Sequence, residues 1–289
     1  MRPLTQTFFQ FLAGLAGVVV LSAFLAPWVY HWMPFFKFDR ILRRLIMVGA
    51  LLLILGLLRA RRGTLGELGL QRNAETFRLF AFGFLSGILL GFGLTLIQWA
   101  LGARTGRIHE TDLWHWIGLF SKGFGAGVLI GTIEEFFFRG FLFTMLKDLW
   151  NTRVSLGVTN LIYAMVHFFP KDKIILTAEP TVQDSFRILG AILPSFWQSP
   201  ERILAVSGLF LFGLLLSLVF LQTKSLSPCM GIHAGAVFSL KMNRRFIPEI
   251  SEKMGIFSGT KNLYDGFAGL ALLLLLCIIL GRKARLQNP

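Results

Sequence analysis

Apolar runs of about 17 residues or more recur along the whole chain, separated by short polar stretches. A helix needs about 20 apolar residues to cross roughly 30 Å of hydrocarbon. The runs at 8–29, 41–58, 79–101, 203–221 and 264–280 meet or approach that length. Their edges carry the residues that edges need. Trp28, Tyr30 and Trp32 mark an interface after the first run, Arg59, Arg61 and Arg62 end the second, and Arg282, Lys283 and Arg285 stop the last. The first run is too long for a signal-peptide core and no small-x-small site ends it, so it reads as a retained span. Gly83, Gly87 and Gly91 recur every four residues, which puts them on one helix face and allows a close helix approach.

Residues 113–149 are almost all apolar and would reach about 55 Å as one helix, too long for an upright span. A break is therefore expected near Ser121-Lys122-Gly123, with a span from about 121 to 147. Two further spans are expected at 154–169 and at about 226–240. Between Pro170 and residue 200 the chain turns polar. There Phe186, Leu189, Leu193 and Phe196 stand at helical spacing, which predicts a short interfacial helix. The pattern predicts an all-α polytopic membrane protein of about eight transmembrane helices, residues 1–289 forming a single integral-membrane domain with both ends on one side.

Composition agrees with this. The chain is 54% hydrophobic and 15% charged, with a mean hydropathy of +0.65. The net charge of +14 suits contact with anionic membrane lipids. Nucleic acid is not an expected partner, because the basic residues are scattered through short loops and form no block. The only cysteines, Cys229 and Cys277, lie in apolar segments and suggest neither a disulfide framework nor a zinc finger. Lys and Arg are nearly balanced between the two sets of loops, so the positive-inside rule does not orient the chain.

Against this apolar background, Glu134-Glu135 and Arg139 stand out. Charges within a span cost several kcal/mol each and by default mark a functional site. Glu135 and Arg139 are i,i+4 neighbours on one helix face and can pair. Glu134 has no such cation on its helix and is free for chemistry. Two of the five histidines, His167 and His233, also lie within spans. Glu134 and His167 are each about 16–17 residues from the turn near Trp150-Asn151, so antiparallel helices would set them level. A Glu and a His at one depth can hold and deprotonate a water. His233 follows Pro228 closely and reaches the same place only if its helix starts well before Pro228 or dips inward. The His109, Glu110, Asp112 and His115 group, with Trp114 and Trp116 alongside, reads as an interfacial loop.

These residues resemble the motifs of the CAAX protease and bacteriocin-processing family of intramembrane endopeptidases, also called type II CAAX prenyl endopeptidases. Its Glu-Glu-x-x-x-Arg motif is matched by Glu134, Glu135 and Arg139. Its Phe-x-x-x-His motif is matched by Tyr163 to His167, with Tyr for Phe. Its His-x-x-x-Asn/Asp motif is matched at His233, but Val237 stands where the Asn or Asp belongs. The motifs fall in order across about residues 120–245. The resemblance implies an eight-helix fold around a conical intramembrane cavity. It also implies an endopeptidase that cuts a membrane protein or lipid-anchored peptide substrate, and a multi-pass location, here expected in the cell inner membrane. By carry-over, Glu134 with His167 activates water, His233 sits by the oxyanion, and Glu135 belongs to the catalytic set mainly as the charge partner of Arg139. Asn160, seven residues before His167 on the same face, is a candidate substitute for the oxyanion donor missing at Val237. Glu134, His167 and His233 also make a zinc set. No His-Glu-x-x-His run is present, however, and glutamate-activated water needs no metal, so the metal-free reading is preferred. The other readings are a catalytically weak scaffold of the same family, motivated by Val237, and a small proton-coupled transporter.

Overall fold

The computed structural model describes residues 4–60, 64–70, 74–105, 113–167, 179–191, 200–246, 249–250, 255–260 and 262–287. The described chain is almost entirely helical. Helices α1 (Leu4–Trp32) and α2 (Phe38–Ala60) form a hairpin, followed by a 3₁₀ turn at Leu65–Leu68 and α3 (Ala74–Ala100). Helix α4 (Leu113–Glu135) continues without interruption into a π-helical segment, Phe136–Phe143, and then into α5 (Thr144–Leu149). Next come α6 (Thr152–Val166), the short α7 (Val182–Gly190), α8 (Pro200–Thr223), α9 (Leu226–Phe246), one turn of α10 (Gly255–Ser258) and α11 (Phe267–Gln287). Two-residue strands β1 (Arg104–Thr105) and β2 (Glu249–Ile250) pair antiparallel.

Among the described residues, five helical stretches are long and apolar enough to cross a membrane: Thr5–Trp32, Phe38–Ala60, Ala74–Ala100, Leu113–Leu149 and Arg202–Thr223. Helices α6, α9 and α11 stand where the remaining spans are expected. Among them α6 has only 15 residues, short of the roughly 20 that a crossing needs.

The expected break at Ser121-Lys122-Gly123 does not occur, because α4 runs straight through it. The long apolar run is interrupted instead by the change of winding at Phe136. A π turn takes in one extra residue, and it leaves backbone groups for which partners must be found. Here the Thr144 hydroxyl donates to the Arg139 carbonyl, five residues back, at 3.1 Å. The π segment is also the hub of the fold, touching α2, α4, α5, α6, α8, α9 and the 3₁₀ turn. Its Phe136, Phe138, Phe141, Leu142 and Phe143 belong to the main apolar core, with Leu216 and Leu226.

Helix α9 is held between α3 and α4 by close backbone approach. A side chain on Gly87 would run into the Ile232 carbonyl, and one on Gly235 into the Phe84 carbonyl. On the other flank a Cβ at Gly131 would stand 2.9 Å from the Met230 carbonyl. The face shared by Gly83, Gly87 and Gly91 is thus the contact face of α3. Packing around α7 is of another kind. There α7 lays Ile188 against Ala26, Phe38, Ile41 and Leu42 of the α1–α2 hairpin, and Phe186 edges onto Phe24. Helix α7 is the expected short helix; Leu193 and Phe196 lie outside the described residues. So do His109, Glu110 and Asp112.

Candidate active site

Glu134 and Glu135 are the last two residues of α4, at the point where the winding changes. Glu135 points into protein. Its Oε1 accepts from Arg139 Nη1 at 2.8 Å, and both side chains are wholly buried. The pair expected from i,i+4 spacing is present, but the guanidinium does more than pair. Arg139 Nη2 donates to the Gly213 carbonyl at 2.8 Å and to Asn160 Oδ1 at 3.3 Å, and its Cζ lies 4.6 Å from the Tyr163 ring centroid. Glycine at 213 is what lets α8 bring its carbonyl so close, since a Cβ there would stand 2.8 Å from Asn160 Oδ1 and 3.1 Å from Arg139 Nη2.

Asn160 is committed to this network. Its oxygen also accepts from Ser217 at 3.1 Å, and its amide nitrogen donates to the Leu156 carbonyl at 2.8 Å. This geometry ties Asn160 to Arg139 and Ser217.

Glu134 faces the histidines. Its Oε2 lies 3.3 Å from His167 Nε2 and 3.8 Å from His233 Nε2. The Oε2 atom is enclosed and has no hydrogen-bond partner of its own. The opposite ring nitrogens are both occupied. His167 Nδ1 meets the Tyr163 carbonyl at 2.8 Å, and since a carbonyl can only accept, Nδ1 carries the proton. His233 Nδ1 meets Glu135 Oε1, the oxygen that also accepts from Arg139, at 2.8 Å. In the neutral imidazoles both Nε2 lone pairs therefore point at a carboxylate oxygen. Three acceptors converge with nothing to donate between them, which is the arrangement that a water or a proton satisfies.

The level placement of Glu134 and His167 follows from the α4–α6 connection. His233 arrives there although α9 begins at Leu226, only two residues before Pro228. The reason is that the start of α9 is recessed. The Leu226 N–H donates to the Gly69 carbonyl at 3.0 Å, and a Cβ at Gly140 would stand 3.0 Å from the Leu226 side chain. Gly140 lies six residues beyond Glu134, and His233 seven beyond Leu226, so the antiparallel helices bring the two level. Val237, one turn past His233, is half-buried.

Imidazoles whose second nitrogen is held by a carbonyl or a carboxylate are the usual ligands of zinc. Among the described residues, however, no group of three His, Cys, Asp or Glu side chains is arranged to hold a metal ion. Two surface grooves, of about 320 and 300 Å³, lie elsewhere: one beside Lys147 and Lys224, the other beside Lys122 and Lys241.

Two partners in the site gave no signal in the sequence. Gly213 acts through its carbonyl, and Ser217 is one of several hydroxyls in an apolar span. The link between His233 and Glu135 was equally hidden, since the two are 98 residues apart.

Residues 116–239 match the model of the Rce1-like family, type II CAAX prenyl endopeptidase Rce1-like. The match takes in Glu134, Glu135, Arg139, Tyr163, His167, His233 and Val237. No curated protein and no solved structure matches the chain. Over this stretch the chain is CAAX protease-like, and its long apolar helices make it an integral membrane protein.

Proposed function

We propose that this protein is an intramembrane endopeptidase that hydrolyses a peptide bond of a membrane-associated substrate with water activated by Glu134. The observation that carries the reading is the convergence of Glu134 Oε2 on the Nε2 atoms of His167 and His233, each histidine being tied down at Nδ1. A water held there gives a proton to Glu134 as its oxygen attacks the carbonyl carbon, and the carbonyl bonding pair moves onto oxygen. As the C–N bond breaks, the proton passes from Glu134 to the leaving nitrogen, giving a carboxylic acid and an amine.

The contacts of His233 give it its role. His233 touches both carboxylates. With Nδ1 held by Glu135, its ring stands beside the developing oxyanion. Glu135 is thus a positioning residue. No step passes through a metal. Membrane lipids surround the protein, and the substrate is a membrane protein or a lipid-anchored peptide. The cell inner membrane is the expected location.

The test is proteolysis of a library of membrane-anchored peptides by the protein reconstituted in bilayers. Glu134→Gln keeps size and hydrogen bonding but cannot take a proton, and it is expected to lower turnover at least about 10²-fold while the protein inserts and purifies as wild type. Turnover at the wild-type rate by Glu134→Gln would end the reading.

A further inference from the structure

The apolar rod formed by α4, the π segment and α5 carries two lysines, Lys122 and Lys147. They stand 25 residues apart, roughly 35 Å of helix and slightly more than the thickness of the hydrocarbon layer. That spacing sets one lysine at each membrane surface, and each of them lines one of the two surface grooves. The grooves differ in charge. The one of about 320 Å³ is lined by Lys147 and Lys224, but also by Glu67. The one of about 300 Å³ is lined by Lys122, Lys241 and Arg244 with Leu119 and Gly123, and by no described carboxylate.

Further cations crowd the second groove. The charges acting on Lys241 are those of Arg244, Arg44 and Arg40, all of its own sign. Three helices supply the cluster: α4 gives Lys122, α9 gives Lys241 and Arg244, and α2 gives Arg40 and Arg44. Among the described residues none of the five makes an ion pair. Asp39, next to Arg40, is taken by Arg43 at 2.8 Å. Asp265 is engaged by Thr260 and Asn262, and Arg244 donates to the neutral Asn262 side chain at 2.6 Å. The helices are nonetheless held close here, since a Cβ on Gly123 would stand 2.8 Å from the end of the Met242 side chain. Cations gathered without a counter-charge repel one another, and an anion set among them removes that cost.

We infer that this groove binds the phosphate of an anionic membrane lipid, with the headgroup bridging α4 and α9. The cations lie at the level of the headgroups, and a phosphate accepts from several lysine and arginine donors at once. Leu119 and Gly123 give the groove an apolar floor. Phe120 and Phe124 of α4 are about half exposed and offer rings to the acyl chains. A free anion meets the same cations but gains nothing from that apolar surface. Lys122 is 12 residues from Glu134, and Lys241 is 8 from His233. The site is therefore separate from the reacting groups and stands whether or not the protein is an endopeptidase.

The experiment titrates the full chain, in neutral detergent micelles, with phosphatidylglycerol, phosphatidylcholine or inorganic phosphate. Retained lipid is counted by native mass spectrometry, and melting is followed beside it. Wild type is compared with Lys122→Gln/Lys241→Gln and with Lys147→Gln/Lys224→Gln, which lose the same charge. Wild type is expected to retain phosphatidylglycerol and to melt higher with it, and to do neither with phosphatidylcholine. Lys122→Gln/Lys241→Gln is expected to weaken that retention about tenfold or more, and Lys147→Gln/Lys224→Gln to leave it as in wild type. Without lipid, Lys122→Gln/Lys241→Gln is expected to melt at or above wild type, because two repelling charges are gone; with phosphatidylglycerol it melts below. Lysines with a merely structural role give no such crossing. Equal retention of the two lipids, or equal losses in the two double variants, leaves only diffuse attraction and overturns the inference. Melting raised as far by inorganic phosphate as by phosphatidylglycerol overturns it in favour of a free anion. Protection by polyglutamate where phosphatidylglycerol gives none overturns it in favour of an acidic protein segment.

Discussion

Two walls of the molecule are built differently. On one, α9 is pressed between α3 and α4 by glycines that meet carbonyl groups, as Gly87 meets Ile232 and Gly131 meets Met230. On the other, the α1–α2 hairpin and α7 meet through side chains. A Cβ on Gly14 would stand 2.7 Å from a methyl at the far end of Leu53, and one on Gly49 would stand 2.6 Å from a methyl of Val18. Backbone against backbone cannot yield, whereas the end of a leucine can turn. His233 rides on the unyielding wall. The lesson is that a site needing tenths of an ångström is placed on the element least able to shift, while the side-chain wall is left adjustable.

The largest effect that tests this contrast lies where the fixed wall meets the hub. Glu135 joins His233 on α9 to Arg139 in the π segment. Glu135→Gln leaves a guanidinium buried without its counter-charge, which typically costs about 3–5 kcal/mol. Folded yield and activity are expected to fall together. Glu135→Leu with Arg139→Leu removes both charges and is expected to regain much of the yield, but not the activity, because His233 Nδ1 has lost its acceptor. Activity near wild type in that double variant would show that the hub is only structural. Melting in detergent, read beside peptide turnover, separates the two.

Next comes the pair of glycines. Gly87→Ala puts a methyl into the Ile232 carbonyl and is expected to cost about 1–3 kcal/mol by forcing α3 and α9 apart. That displacement carries His233 away from Glu134, so turnover falls further than stability alone explains. Gly14→Ala meets only the Leu53 side chain. Leucine turns aside, alanine is the better helix former by about 1 kcal/mol, and the variant is expected to melt at or above wild type. Equal penalties at the two positions would erase the contrast between the walls.

Much of this was legible in the sequence because it follows from length, periodicity and local spacing. The apolar runs show the spans, and the four-residue glycine repeat shows the contact face of α3. The i,i+4 spacing gives Glu135 and Arg139, and equal distance from one turn sets Glu134 and His167 level. The break expected at Ser121-Lys122-Gly123 is absent there: a polar Ser-Lys-Gly triplet looks like a boundary, while a π turn among phenylalanines has no local signature. Asn160 was read as facing the reaction because seven residues put it on the face of His167. Its side chain also bonds Arg139 and Ser217, which lie on other elements, and no spacing along α6 shows that. The recess of α9 depends on Leu68 and Leu226 meeting Gly140, again a contact between distant segments.

The smallest effect belongs to the adjustable wall. Helix α7 begins with a capping box: the Thr181 hydroxyl accepts from the Asp184 N–H, and the Asp184 carboxylate accepts from the Thr181 N–H at 2.9 Å. These bonds from Thr181, helped by Arg187, hold the Asp184 carboxyl below its ordinary value. A carboxyl so lowered on folding contributes stability above its unfolded pKa, and that contribution is lost as the pH falls through the lowered folded value. Thr181→Ala removes the hydroxyl and is expected to cost about 1 kcal/mol, spent on α7 alone. Exchange of the amides at 182–185 is expected to quicken, while those of α9 around His233 keep their protection. Acidification of the wild type is expected to do the same once Asp184 takes up its proton, and Thr181→Ala should blunt that pH dependence. If Thr181→Ala instead loosens α9 as much as α7, the two walls are one cooperative unit, and the division between a fixed side and an adjustable side does not hold.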